Sequence, residues 1–219
     1  MRKIMIAVPC MDQVPAQFAN SIAILTSYGI EGVEISIRFN LGSLIYHSRN
    51  QLAGMALDDG ADLIMWFDSD MVFNPDTLVR MLKTIDDGAD FVTGCYYRRT
   101  APFSPTLFSS LDIDENNNAK WEEFDEIPED GIFPVAGCGF GCVLMKADML
   151  REVYKKFGRL FSPIGEVGED LSFCWRAREC GYTLVCDPTI SLGHVAHTMV
   201  TKKFFDNFKK AREGKEGQG

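Results

Sequence analysis

No apolar run in this sequence is long enough to cross a bilayer. Met1-Arg2-Lys3 leads straight into a short strand-like run, with no signal-peptide core and cleavage site behind it. Excess positive charge is also missing. The formal net charge is −9 over 219 residues, which argues against general nucleic-acid binding and against an anionic membrane as the main partner. The seven cysteines form no CxxC pair and no Cys/His zinc spacing. Their number is odd and most lie among apolar residues, so they are expected to be reduced, buried thiols in a cytoplasmic protein. Histidine is scarce: there are three, and two of them are His194 and His197. There is no internal repeat.

What is present is ordinary globular composition, 46% hydrophobic and 24% charged. The length suits one domain with a sizeable core. Lys3 to Val8 reads as a strand, Pro15 to Tyr28 as a helix stopped by Gly29, and Val33 to Phe39 as an alternating strand. Tyr46 to Asp59 reads as a helix, Leu63 to Phe67 as a buried strand, and Phe91 to Tyr97 as a fourth strand. Pro75 to Asp87 is a predicted helix with Asn74 as its N-cap. The first ~100 residues thus alternate β and α, which predicts a mostly parallel sheet with helices on both faces.

The second half differs. Ser104 to Phe124 reads as two strands joined by a turn at Asp114 to Asn118, and Phe140 to Met145 is an apolar run. Ala147 to Phe157 and Glu169 to Cys180 read as helices, Thr183 to Cys186 and Thr189 to Leu192 as short strands. Thr201 to Arg212 can form a basic amphipathic helix, and Gly214 to Gly219 is expected to be disordered.

Ligands of such sheets bind at the carboxyl ends of the strands. The strand LIMWF delivers Asp68-Ser69-Asp70 to such an end. Two carboxylates there repel each other, and a divalent cation removes the penalty. Oxygen ligands suit Mg²⁺ or Mn²⁺ shared with phosphates and water. The plainer alternative is an N-cap and turn before Pro75. A second D-x-D match, Asp112-Ile113-Asp114, sits in a turn and reads as structural.

His194 also follows a strand, and imidazole is a good Mn²⁺ ligand; His197 lies farther from the strand. Glu169 and Asp170 open a helix, where acidic residues cap by default. Near a metal–diphosphate site, a carboxylate there could instead serve as a general base. Arg49 near a helix start, and Tyr96-Tyr97-Arg98-Arg99 after the fourth strand, are cationic positions suited to a diphosphate or to plain surface. Gly137 to Gly141 lacks both the P-loop and the Rossmann spacing, and reads as a place of close substrate approach.

In order, VPCMD, SRNQLA, FDSDM, TGCYYRRTAPFSP, AGCGFGCVLMK, GEDLSFCWRARECGY and DPTISLGHVAH run from about Lys3 to His197. This series resembles the GT-A-fold glycosyltransferases, in particular the compact family-two-like enzymes of bacteria and phages. The resemblance implies a GT-A type, Rossmann-like α/β fold with a small antiparallel element in its second half. It implies one catalytic domain over 1–200, with a nucleotide-binding half at 1–100 and an acceptor and sugar half at 101–200, then a C-terminal helix and tail at 201–219. It implies a nucleotide-diphosphate-sugar donor, UDP-sugar favoured, a divalent Mn²⁺ or Mg²⁺, and an acceptor hydroxyl.

By the same resemblance Asp68, Asp70 and His194 hold the metal, with Asp68 also near the ribose. Pro9, Cys10 and Asp12 meet the nucleobase and ribose, Arg49 approaches the diphosphate, and Gly137 and Gly139 lie against the donor sugar. Asp170 is the base of an inverting, hexosyltransferase-like reaction, with Glu169 orienting the acceptor or sugar. The chain departs from the processive synthases: it has no downstream Q/R-x-x-R-W element.

Two other readings compete. A nucleotidyltransferase also uses metal and nucleotide, but VPCMDQVP is not its Gly-rich, Lys/Arg-bearing loop. A non-catalytic carbohydrate-binding protein would need neither base nor metal-bound diphosphate. For the basic tail, packing of Phe204, Phe205 and Phe208 on the body stands against docking of an acceptor, an oligomer partner or a membrane surface.

Overall fold

The computed structural model describes residues 1–196, 199, 201–207 and 209. The expectations for His197, Phe208 and the segment 210–219 fall outside the described residues.

The strand β3 (Leu63–Phe67) is buried along its whole length. Its alternate residues feed two separate cores: Ile64 and Trp66 enter one, Leu63, Met65 and Phe67 the other. A strand covered on both faces needs apolar side chains at every position, which is why LIMWF has no polar residue. β1 (Arg2–Cys10) divides in the same way, Met5 and Ala7 against Ile4, Ile6 and Val8. Leu52, Ala53 and Ala56 of α2 (Ile45–Asp58) cover the first face. Phe18, Ile22 and Leu25 of α1 (Ala16–Ser27) cover the second.

The central sheet has seven strands in the order β2-β1-β3-β10-β5-β11-β8. Here β2 is Val33–Leu41, β5 Phe91–Cys95, β8 Phe133–Val135, β10 Cys142–Lys146 and β11 Leu184–Ser191. β1 pairs in parallel with β2 and β3, and β5 with β11. β10 enters antiparallel between β3 and β5, and β8 closes the edge antiparallel. Five of the seven strands therefore share one direction, as a mostly parallel sheet requires. A three-stranded antiparallel sheet holds β7 (Ala119–Glu123), β6 (Leu107–Ile113) and β9 (Gly137–Cys138). A two-stranded one joins β4 (Met71–Val72) to β12 (Gly193–His194).

Several local expectations change. α3 spans Thr77–Asp86 with Asp76 as N-cap and no side-chain cap bond, instead of starting at Pro75 under Asn74. The Asn74 carbonyl accepts the Thr77 N–H in a turn, 3.1 Å, which delays the helix. The two short strands expected near 183–192 are one strand, β11, whose register shifts between Asp187 and Ser191. α4 (Asp148–Phe157) and α5 (Glu169–Glu179) lie where expected. The Asp112–Asp114 match is structural: the Asp114 carboxylate accepts the Asn116 and Asn118 N–H groups. Phe204 and Phe205 are 48% and 60% exposed, so about half of each faces solvent. No helix among the described residues is long and apolar enough to cross a membrane.

Candidate active site

A cleft of about 330 Å³ opens at the carboxyl ends of β1 and β3. Pro9, Cys10, Arg49, Asp68, Asp70, Glu169, Asp170 and His194 all line it. Five segments distant in sequence deliver them: the end of β1, the first turns of α2, the loop after β3, the start of α5, and β12 (Gly193–His194). α2 and α5 both begin without a side-chain cap bond, under Leu44 and Gly168.

Arg49 organises the acidic wall. Its side chain is 2% exposed, with Nη2 2.8 Å from Asp68 Oδ1 and Nε 3.2 Å from Glu169 Oε1. Its guanidinium lies 5.3 Å from the Phe140 ring centre and 5.7 Å from that of Trp66. Burial pulls its pKa down, but Asp68, Glu169 and Asp170 outweigh burial and hold it above the ordinary arginine value. Its Nη1 is buried with no partner, so one donor of the clamp is left over.

Asp170 sits beside this clamp without sharing it directly. Burial and the neighbouring Glu169 carboxylate raise its pKa to about 6, against the backbone N–H of Leu171 and the charge of Arg49. A carboxyl group poised there is ionised at neutral pH yet basic enough to accept a proton.

On the opposite side, Asp70 Oδ2 lies 2.5 Å from Arg99 Nη1 and 3.4 Å from His194 Nε2. Burial raises the Asp70 pKa, but the bond and charge of His194, then Arg99, more than reverse this and leave it lowered. The bond to Asp70 raises the His194 pKa in return, against burial. His194 Nδ1 is 2.9 Å from the Tyr97 carbonyl oxygen. An Nδ1–H that donates to this carbonyl turns the Nε2 lone pair toward the Asp70 carboxylate. Two electron-rich atoms facing each other call for a proton or a cation between them. The oxygen and imidazole donors suit Mn²⁺ or Mg²⁺ by their chemistry.

The expected three-residue metal site is not assembled as such. Among the described residues no group of three or more His, Cys, Asp or Glu side chains is gathered to hold a metal ion. Asp68 is drawn to Arg49 instead, because the buried guanidinium is the nearest strong counter-charge.

Three expected residues stand apart from the cleft. Asp12 is exposed in the turn after β1 and reaches it only through its charge, which together with burial raises the Cys10 pKa. Gly137 and Gly139 are buried and face protein. A Cβ at Gly137 would come within 2.8 Å of Leu171, and one at Gly139 would collide with Tyr96. Their lack of side chains therefore makes room for packing against these two residues.

Arg99, one of the cationic positions after the fourth strand, enters the cleft wall through Asp70, whereas the Tyr97 carbonyl as partner of His194 has no signal in the sequence. The position of Tyr96-Tyr97-Arg98-Arg99 after a strand at the same sheet end was the available signal for Arg99. Tyr96 is buried, accepts the Gly141 N–H at its hydroxyl, 2.9 Å, and meets the His194 ring edge-on at 5.7 Å.

Among solved structures, A197 from STIV superposes with a TM-score of 0.61 at 20% identity, over 90% of this chain and 87% of that one. GalNAc-T7 with UDP, GalNAc and Mn²⁺ superposes with a TM-score of 0.61 at 8% identity, over 90% of this chain and 44% of that one. These likenesses show the GT-A fold. No curated protein sequence matches the chain. Residues 23–153 match the sequence model of glycosyl transferase family 2, a span that includes Arg49, Asp68 and Asp70 but ends before Glu169, Asp170 and His194. With more than half of the chain matched and the fold in agreement, this protein belongs to glycosyl transferase family 2 and is a glycosyltransferase.

Proposed function

We propose that the protein transfers a sugar from a nucleotide-diphosphate-sugar, UDP-sugar favoured, to an acceptor hydroxyl with inversion, and that it uses a divalent cation. The observation that carries this reading is the cleft itself. One wall holds a carboxyl group raised to about 6, and the other a carboxylate facing an imidazole nitrogen. A carbohydrate-binding protein has no use for either. A nucleotidyltransferase is not supported by the family match.

Asp70 and His194 would hold Mn²⁺ or Mg²⁺, with Asp68 alongside. When bound, the cation neutralises charge on the leaving diphosphate. Asp170 accepts the proton of the acceptor hydroxyl as its oxygen forms the new bond to the anomeric carbon, while the bond from that carbon to the diphosphate breaks. Glu169 orients acceptor or sugar. Arg49 positions Asp68 and Glu169 and brings its positive charge near the diphosphate. Pro9 and Cys10 line the nucleoside end. Residues 1–100 then serve the nucleotide, and 101–200 the sugar and acceptor.

The test is the melting temperature with Mn²⁺ against UDP, GDP, CDP and dTDP, for wild type and Asp70→Ala. A rise with one nucleotide that needs Mn²⁺ and is absent from the variant is expected. No rise with any nucleotide would sink the donor assignment.

A further inference from the structure

A second cavity, of about 510 Å³, lies between α5, the loop that follows α4 and the turn joining β6 to β7. It shares no residue with the catalytic cleft. Arg176 lines it although only 1% of that residue is exposed. Among the described residues the one hydrogen-bond partner of its side chain is the Leu160 carbonyl, which accepts from Nη1 at 2.6 Å. Among the described residues no carboxylate lies within ion-pair distance of it. A guanidinium this buried is costly without a counter-charge.

Arg159 lines the same cavity and is exposed, with no ion pair of its own among the described residues. Two cations therefore converge on one space. Burial, then the charge of Arg159, lowers the Arg176 pKa to about 10, which leaves it charged at neutral pH. The one carboxylate in the lining, Asp114, is engaged in its own turn: Oδ1 accepts two backbone N–H groups and Oδ2 accepts from Asn118 Nδ2. The remaining wall includes Trp175, Phe157 and Asn117. An indole beside polar side chains suits the apolar face and hydroxyls of a sugar ring, and the volume exceeds what a bare oxyanion fills.

We propose that this cavity is a second binding site, in which Arg176 and Arg159 hold the phosphate or carboxylate group of a sugar-sized molecule. On α5 Arg176 lies seven positions after Glu169 of the catalytic cleft, about 10 Å along the helix and on nearly the same helix face. Occupancy of the second site therefore bears on the element that carries Asp170. The inference does not depend on the donor or the metal of the transfer reaction.

The experiment titrates the full chain with glucose 6-phosphate, inorganic phosphate and glucose, read by tryptophan fluorescence and melting temperature. Glucose 6-phosphate should give a saturable fluorescence change and a higher melting temperature, inorganic phosphate a weaker effect, and glucose none. Arg159→Ala, at an exposed position that tolerates truncation, should weaken binding about tenfold or more. Arg176→Lys should weaken it too while keeping the charge. Trp175→Phe should abolish the optical signal but not the rise in melting temperature. Equal binding of glucose, unchanged affinity in Arg159→Ala, an optical signal that survives Trp175→Phe, or no response to either anion would each overturn the proposal. Loss of nucleotide binding in Asp70→Ala would leave all these responses in place, which separates this inference from the proposed reaction.

Discussion

Single residues in the cleft have opposing effects on stability and activity. Asp170 has a folded pKa of about 6, above its unfolded value of about 3.9. A carboxyl group raised in this way binds its proton more tightly in the folded state. It therefore costs stability as pH rises from about 4 to 6, and the cost is complete above that window. Asp170→Asn should stabilise the protein at pH 7, by up to about 3 kcal/mol, while abolishing transfer. Denaturant unfolding and a turnover assay on the same variant check both halves. In wild type, kcat/KM should fall tenfold per pH unit below about pH 6, because the base is then protonated. A flat profile from pH 5 to 8 would remove Asp170 from the role of base. Arg49 behaves in the opposite sense. Arg49→Ala leaves Asp68 and Glu169 facing each other without their cation and should cost about 3 kcal/mol in urea unfolding.

Short elements decide where the site residues meet. β4 and β12 have two residues each, yet their pairing sets His194 opposite Met71 and so beside Asp70. The Val195 N–H donates to the Asp70 carbonyl, 2.9 Å, and reinforces the register. The Gly139–Gly141 segment has a supporting role. A Cβ at Gly141 would lie 2.6 Å from Tyr96 Cζ, and Tyr96 in turn meets the His194 ring. Gly141→Ala should destabilise by about 1–3 kcal/mol through overpacking and weaken Mn²⁺-dependent nucleotide binding by displacing Tyr96. Melting with and without Mn²⁺ and UDP separates the two effects. If the destabilised variant kept full nucleotide response, Tyr96 would not be supporting the site.

At the scale of the whole molecule, every described residue that lines the cleft lies at or before His194, and the two cores that hold the sheet use none of the described residues beyond Leu192. Removal of 201–219 should therefore leave donor hydrolysis intact, and complete loss of it would show that the tail belongs to the site. Phe204 and Phe205 stay exposed on a short helical stretch with Lys202 and Lys203. Such a truncation should alter acceptor use, if anything, and a comparison of hydrolysis with transfer reads this directly.

The alternation of strands and helices, both faces of β1 and β3, and the delivery of Asp68 and Asp70 to a strand end were legible in the residues. Local periodicity and burial determine them, and both are written in the order of the side chains. The pairing of β10 between β3 and β5, the union of β4 with β12, and the meeting of Arg49 with Glu169 across 120 residues of sequence were not. Non-local contacts carry no periodic signal, and only the closed sheet determines which loops share its edge. For the same reason the residues GED, taken alone, fit a helix start and a general base equally well. Its carboxyl group acquires a raised pKa only when folding buries it beside a second carboxylate and a clamped arginine.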